Sequence, residues 1–142
     1  MRISVVVACR NEASHIGPFL ESLVRQDFGD ITWEAIIADG ESDDGTRELL
    51  AGFAATHPQV RVISNPAHIV STGLNRAIAA AQGEFILRMD AHTRYAADYC
   101  RRCVETLEQT GADNAGGPAR TETNGTWGRA IAAAFHSRFS TG

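Results

Sequence analysis

Two apolar segments that run directly into acidic residues constrain most strongly what this chain can fold into. The first ends at residues 36–38 and enters residues 39–46, where six of the eight positions are Asp, Gly or Ser. The second ends at residue 89 and enters Asp90, Ala91 and His92. Apolar segments alternate with amphipathic ones along the first 118 residues, which is typical of βαβ units. The sequence therefore predicts an α/β fold with a mostly parallel sheet flanked by helices.

The positions of the strands and helices follow from the hydrophobic periodicity. Strands are predicted at residues 3–8, 33–38, 60–64 and 84–89, with a short edge strand at 112–116. Helices are predicted around residues 16–23, after residue 45, and at 73–81, 97–109 and 126–139. Asp43 or Asp44 is expected to cap the second helix. If the strand order is 3-2-1-4, the ends of strands one, two and four meet at one crevice, where α/β sheets bind ligands.

Composition limits the function classes that this chain can serve. The 142 residues suit one domain, and 13 basic against 17 acidic residues give a net charge of −4. We therefore expect no nucleic-acid partner, because a basic patch is the usual sign of one. Every basic residue is Arg, which excludes a catalytic Lys amine.

The cysteines predict a reducing compartment. There are three of them, an odd number, and neither a secretory signal nor an apolar run of membrane-spanning length accompanies them. We therefore expect a cytoplasmic location. Cys100 and Cys103 have the spacing of a redox or zinc pair, but they fall in a helical pattern without a second pair, so we interpret them as helix residues.

Asp90 and His92 are the candidate metal ligands. Residues two apart on an extended segment point to the same face, and a carboxylate with an imidazole favours Mn²⁺ over Mg²⁺. The same residues also suit a turn and an exposed loop. Asp39 and its neighbours are likewise ordinary turn formers, and Glu12 also suits a helix start. Both interpretations stay open for each of these residues.

The motifs that the chain lacks are also informative. No G-x-G-x-x-G follows the first strand, and there is neither a Lys-containing phosphate loop nor a G-x-S-x-G elbow. Dehydrogenase, phosphate-loop and serine-hydrolase functions are therefore disfavoured.

Three segments together carry a resemblance to a known family. Residues 3–12, 39–46 and 83–92 resemble, in order and spacing, the amino-terminal half of family 2 glycosyltransferases with the GT-A fold. The Met-Asp-Ala-His-Thr segment at residues 89–93 is similar to that of bacterial succinoglycan and exopolysaccharide glucosyltransferases. The resemblance implies a Rossmann-like nucleotide-binding half. It also implies inverting, metal-assisted sugar transfer from a nucleotide donor, commonly a UDP-sugar, to a saccharide or lipid-linked acceptor.

The same resemblance assigns roles to individual residues. It implies that Asp39 binds the uracil, that Glu12 and the backbone near Ala8 line the base and ribose pocket, and that Asp90 with His92 contacts metal and diphosphate. Leu74 lies where many members carry Arg, and a glycine-containing loop that borders the donor sugar matches residues 116–117. The nucleotide-binding residues expected in full are Ala8, Arg10, Glu12, Asp39, Ser42, Asn75 and Asp90.

One departure from the family pattern concerns catalysis. Inverting transfer needs a carboxylate base, and nothing in residues 121–142 matches the family's downstream acidic motif, since Glu122 is the only acid there. We therefore expect residues 1–142 to be a donor-binding part that is inactive alone. The base, and any contact with the inner face of the plasma membrane, would lie beyond Gly142.

Three alternatives stay open. The first is a retaining glycosyltransferase, because an Asp-x-His motif also occurs in polypeptide N-acetylgalactosaminyltransferases. The second is a non-catalytic nucleotide or metal-binding module. The third is a nucleotidyltransferase of similar topology, which the missing glycine-rich loop and Lys disfavour.

Overall fold

The computed structural model describes residues 2–118 and 125–137. Its sheet contains β1 (Ile3–Cys9), β2 (Trp33–Asp39), β3 (Val60–Ser64) and β4 (Phe85–Arg88). Its helices are α1 (Ala13–Val24), α2 (Thr46–Thr56), α3 (Val70–Ala80), α4 (Tyr99–Thr110) and α5 (Thr126–Phe135). The strand order is β3-β2-β1-β4 and all three pairings are parallel. The predicted α/β class and the order 3-2-1-4 are therefore confirmed.

The two central strands are buried on both faces because β1 and residues 35–38 of β2 are continuous runs of small and β-branched residues. Successive side chains of a strand point to opposite faces. Accordingly, Val5 and Val7 belong to the larger core with α1 and α4, whereas Val6 packs with Ala77 of α3 on the other face. Helices cover both faces of the sheet, which leaves its carboxyl edge free to carry a site.

A small residue lets α3 lie close to that edge. A Cβ added to Gly73 would come within 2.9 Å of Asn65 Nδ2 and 3.0 Å of the Ala8 Cβ. The helix therefore approaches the ends of β1 and β2 more closely than a larger residue would permit. This approach brings the loop between β3 and α3 next to the end of β1.

The cysteine prediction agrees with the structure. Cys100 and Cys103 lie on α4, and all three cysteines are buried and free. Burial raises the pKa of Cys100 to about 12 and also raises the pKa of Cys103. Because the thiolate is the reactive form, both side chains act as small apolar residues of the core.

The structure corrects the prediction of an edge strand at residues 112–116. That segment contains no strand. It follows Gly111, whose φ of 67° ends α4 in a left-handed conformation. Its residues are Ala, Asp, Asn, Ala and Gly, and none of these favours a strand.

Several helix ends also differ from prediction. Helix α3 begins at Val70, three residues before the predicted start, and α4 spans Tyr99–Thr110. The N-cap of α2 is Gly45, although the Asp44 carboxylate accepts a hydrogen bond from the Thr46 N–H. Helix α5 ends at Phe135, and the last two residues of the helix predicted at 126–139 lie outside the described part. Within the described ranges, no helix has the length and apolar character needed to cross a membrane.

Candidate functional site

A cavity of about 210 Å³ lies at the carboxyl edge of the sheet. Its walls come from the end of β1, from the residues that follow β4, and from the loop between β3 and α3. Five of the residues predicted from sequence line it: Ala8, Arg10, Glu12, Asp90 and His92. The strand order is the reason, because β1 lies beside β4 and parallel strands end at the same edge.

The Glu12 carboxylate lies between two imidazole rings. His92 Nδ1 is 3.3 Å from Glu12 Oε1, and His15 Nδ1 is 3.1 Å from Glu12 Oε2. Glu12 and His92 are 80 residues apart in sequence, so this contact joins the loop after β1 to the loop after β4. It is direct evidence that the ends of these two strands form one site.

Side chains of residues 42–46 accept hydrogen bonds from the loop after β1 and hold it in place. The N–H of Asn11 donates to Ser42 Oγ at 2.9 Å, and the N–H of Glu12 donates to Thr46 Oγ1 at 2.9 Å. The N–H of Ala13 donates to Asp44 Oδ2 at 3.0 Å. These polar residues therefore position Glu12 rather than line the cavity themselves.

The Asp44 carboxylate is held ionised by the same network. Its pKa is lowered, first by the hydrogen bond from the Thr46 hydroxyl and next by the one from the Ala13 N–H. An ionised acceptor makes stronger hydrogen bonds than a neutral one. The loop that carries Glu12 is thus fixed by charge-assisted contacts.

Asp39, Ser42 and Asn75 do not line this cavity. Asp39 ends β2 beside Cys9 and is only 5% exposed. Its Oδ1 accepts a 2.6 Å hydrogen bond from the Ser42 hydroxyl, and Arg47 Nε is 3.8 Å from its Oδ2. Asn75 is an exposed residue of α3. The three residues lie next to the cavity walls or on the neighbouring helix, but the cavity itself is formed without them.

Asp90 is held by two neighbours. The Arg88 guanidinium donates to both of its carboxylate oxygens, with nitrogen–oxygen distances between 3.1 and 3.3 Å. The backbone N–H of Asp90 donates to the Tyr95 hydroxyl at 2.8 Å. Burial raises the pKa of Tyr95, as does the charge of Asp90, so the hydroxyl stays neutral as an acceptor.

The residues present fit a divalent cation that takes its remaining ligands from a substrate. Asp90 and His92 line the same cavity and supply one carboxylate and one imidazole. The described residues contain no group of three or more His, Cys, Asp or Glu placed to hold a metal by themselves. Cations bound with nucleotide phosphates commonly use only one or two protein ligands, with phosphate oxygens and water completing the shell.

Six further residues line the cavity that the sequence did not single out: Cys9, Asn65, His68, Ile69, Val70 and Arg88. Burial raises the pKa of Cys9 to about 12, and the nearby charge of Asp39 adds to the effect, so its thiol is neutral. His68 is held by a 2.9 Å contact to Glu41, and both residues have positive φ. A left-handed conformation at non-glycine residues is not readable from sequence. Arg88 does carry a signal, because it lies two positions before Asp90.

Comparison with known proteins decides the family. The sequence model of glycosyl transferase family 2 matches residues 4–140. The chain belongs to this family. The resemblance found in the sequence is therefore confirmed, and the cavity lies in a family 2 glycosyltransferase domain.

Relatives of this family 2 chain include an exopolysaccharide protein. This chain is 39% identical over 140 residues to the succinoglycan biosynthesis protein ExoA of Rhizobium meliloti (strain 1021), and the match covers 97% of this chain and 42% of ExoA. This chain is also 32% identical over 96 residues to the dolichyl-phosphate beta-glucosyltransferase ALG5C of Trichomonas vaginalis, and that match covers 61% of this chain and 28% of ALG5C. The chain thus spans less than half the length of these curated relatives.

Solved structures share the fold. The mannosyltransferase PcManGT from Pyrobaculum calidifontis, in complex with GDP-Man and Mn²⁺, matches with a TM-score of 0.69 and 29% identity over 75% of this chain and 32% of that one. Staphylococcus aureus TarS 1-349 in complex with UDP matches with a TM-score of 0.68 and 21% identity, covering 85% and 39%. The GT-A fold of this family 2 chain is therefore confirmed.

Two residues that were matched to family positions in the sequence lie away from the cavity walls. Leu74 packs, partly buried, against the smaller core on the α3 face, so it has an apolar role where many family members carry Arg. Gly117 lies near the Tyr99 ring, since an added Cβ would be 3.4 Å from Tyr99 Cε2. Neither position lines the cavity.

Proposed function

We propose that this chain binds the nucleoside diphosphate of a nucleotide-sugar donor in the cavity at the carboxyl edge of the sheet. The observation that carries the proposal is the meeting of Glu12, Asp90 and His92 at the adjoining ends of β1 and β4. Family membership supports a glycosyltransferase. The donor class is supported by the GDP-Man and UDP complexes of structurally similar proteins.

Two arginines of the cavity suit the diphosphate. Arg10 and Arg88 both line it, together with His68 and His92. Arg10 makes no hydrogen bond or ion pair with another described residue, and its stem lies against Gly40, where an added Cβ would come within 3.0 Å of the Arg10 Cβ. An unpaired guanidinium beside a cavity is available for a phosphate oxygen, which it can bind through two parallel hydrogen bonds.

Asp90 and His92 would hold a divalent cation, with Mn²⁺ favoured over Mg²⁺ because one of the two donors is an imidazole. When bound, such a cation neutralises charge on the diphosphate leaving group. The proposal is supported by the Mn²⁺ bound together with GDP-Man in the Pyrobaculum mannosyltransferase complex. Glu12 fixes the ring of His92 through the 3.3 Å contact at Nδ1, which leaves Nε2 as the free ligand atom.

We assign the nucleoside to the end of β2, next to the cavity that would hold the diphosphate, and uridine is the nucleoside that the family resemblance favours. Asp39 would bind the base, with Ser42 fixing its carboxylate through the 2.6 Å hydrogen bond. Glu12 and the backbone at Ala8 would line the ribose. Asn75 on α3 completes the residues proposed for the nucleotide.

The transfer step itself would need residues outside this chain. An inverting mechanism requires a carboxylate base aimed at the acceptor hydroxyl, and we propose that residues 1–142 bind donor without transferring sugar. The acceptor would be a saccharide or lipid-linked saccharide of exopolysaccharide biosynthesis, in keeping with the succinoglycan relative. The three free cysteines support a cytoplasmic location, because thiols stay reduced there.

Calorimetric titration of the 142-residue chain with nucleotides tests this function. In the presence of Mn²⁺ we expect UDP to bind more tightly than UMP, since UMP lacks the second phosphate that Arg10 would contact. We also expect UDP to bind more tightly than GDP or CDP. If none of the diphosphates binds, the proposed function is wrong; if GDP binds best, the assignment of the base is wrong.

A further inference from the structure

Arg88 and Asp90 form a self-contained ion pair inside the candidate donor site. Arg88 ends β4 and Asp90 follows two residues later, so both side chains lie on the same face of the extended segment. Arg88 Nε and Nη2 are 3.2 and 3.1 Å from Asp90 Oδ1, and Nη2 is 3.3 Å from Oδ2. Among the described residues, neither side chain has another hydrogen-bonding or charged partner.

The carboxylate oxygens that a metal ion would need are therefore already in contact with a cation. Arg88 also lines the cavity, so its guanidinium can reach an anion bound there. The pair is exchangeable, because the Arg88 and Asp90 side chains are 59% and 35% exposed and exposed ion pairs are weak. The cost of separating the Arg88 guanidinium from Asp90 is smallest when the guanidinium forms an ion pair with a second anion in the same cavity.

We propose that Arg88 is a resident counterion of Asp90 that couples metal binding to nucleotide binding. This inference rests on the proposed function. In the free protein, Arg88 competes with a divalent cation for Asp90 and lowers the affinity for the metal. When a diphosphate enters the cavity, the guanidinium turns to the phosphate oxygens and leaves Asp90 to the cation. Metal and nucleotide then each strengthen the binding of the other by the same factor.

Removal of the guanidinium tests the competition directly. Mn²⁺ alone is titrated into the wild-type chain and into Arg88→Leu, and free Mn²⁺ is measured by its electron paramagnetic resonance signal. We expect Arg88→Leu to bind Mn²⁺ about two- to fivefold more tightly, the size of an exposed ion pair. Loss of fold or of a structural contact would weaken metal binding, so a gain distinguishes competition from a structural role.

Arg94→Leu is the matched control, because it removes the same charge nearby. Arg94 is exposed, does not line the cavity and makes no ion pair with a described residue. We expect its Mn²⁺ affinity to equal that of the wild type. If Arg88→Leu binds Mn²⁺ no more tightly than Arg94→Leu, the inference is overturned. Should Arg88→Leu not fold, Arg88→Lys decides, since an ammonium keeps the charge but loses the two-nitrogen contact and should give a smaller gain.

Titrations with UDP distinguish a failure of this inference from a failure of the proposed function. Without metal, UDP should bind about threefold or more weakly to Arg88→Leu than to Arg94→Leu, because a charge-assisted contact to the diphosphate is lost. The factor by which Mn²⁺ strengthens UDP binding should also fall in Arg88→Leu. If the wild type binds UDP but Mn²⁺ strengthens UDP binding to Arg88→Leu by the same factor as in the wild type, the coupling is overturned and the proposed function is not. Absence of UDP binding to the wild type overturns the proposed function and the coupling together, while the Mn²⁺ titrations still decide the competition.

Discussion

The backbone N–H of Glu12 donates a 2.9 Å hydrogen bond to the hydroxyl of Thr46, 34 residues further along the chain. Thr46 is fully buried, and its hydroxyl in turn donates to Asp44 Oδ1 at 2.6 Å. The start of α2 thereby fixes the loop that brings Glu12 to the cavity. One hydroxyl thus serves both the stability of the domain and the geometry of the candidate site.

Thr46→Val keeps the shape of this side chain and removes its hydroxyl. The Glu12 N–H then loses its acceptor, and Asp44 Oδ1 keeps the Thr46 N–H but loses the hydroxyl donor, which should lower the free energy of unfolding by about 1–3 kcal/mol. Urea denaturation measures the change. The control is Thr106→Val on the exposed side of α4, expected within about 0.5 kcal/mol of the wild type. Equal effects of the two substitutions would contradict this role of Thr46.

Two helical glycines are predicted to respond to alanine in opposite directions. At Gly73 an added Cβ meets Asn65 Nδ2 at 2.9 Å and the Ala8 Cβ at 3.0 Å, so Gly73→Ala should destabilise the fold by about 1–3 kcal/mol. At Gly52 of α2 nothing lies within 4 Å, so Gly52→Ala should stabilise it by about 0.5–1 kcal/mol. Thermal unfolding followed by circular dichroism compares them. A stabilising Gly73→Ala would show that α3 does not approach β1 as closely as described.

The stability of the sheet should depend on the ionisation of Glu34. This buried carboxylate accepts hydrogen bonds of 2.8 Å from Ser4 Oγ, 2.8 Å from the Gln82 N–H and 3.1 Å from Arg61. Burial raises the pKa of Glu34, but these partners outweigh it, and the pKa is lowered from its ordinary value of 4.5. Because the folded-state pKa is lowered, the stabilisation is present above that ordinary value and is lost as the pH falls through the lowered one.

Glu34→Gln tests this pH dependence. At pH 7 the substitution should reduce the free energy of unfolding by about 1–3 kcal/mol, since charge-assisted hydrogen bonds become neutral ones. The deficit should shrink as the pH falls from the ordinary carboxylate value through the lowered one, because the unfolded chain takes up the proton before the folded one does. Urea denaturation from pH 3 to 7 measures it, with the exposed Glu21→Gln as control. A deficit that is constant across this range would rule out ionisation as its cause.

The sequence was sufficient to predict the parts of the fold that depend on hydrophobic periodicity. The apolar runs around Val5 and Ile36 made both central strands predictable, whereas the order 3-2-1-4 was a hypothesis about topology that periodicity alone does not decide. The meeting of Glu12 with His92 follows from that order, because β1 and β4 are parallel neighbours. The prediction of an edge strand at residues 112–116 was wrong because these five polar or small residues have no hydrophobic periodicity.

Side-chain partners in the site were less predictable than its location. The cluster at residues 39–46 suggested ligand contacts, yet Ser42 and Thr46 bind backbone N–H groups of the loop after β1. Such contacts depend on how two loops meet in space, which the sequence does not encode locally. Tyr95 similarly accepts the N–H of Asp90 through a turn that periodicity cannot reveal.

Calorimetric titration with UDP, with and without Mn²⁺, on the wild-type chain and on Asp90→Ala tests the central claim most directly. We expect Mn²⁺ to raise the UDP affinity of the wild type about tenfold or more, through charge neutralisation at the diphosphate. Asp90→Ala should abolish that gain, whereas Asp30→Ala, an exposed acid ahead of β2, should retain it. UDP binding that is independent of metal and unchanged in Asp90→Ala would contradict the account.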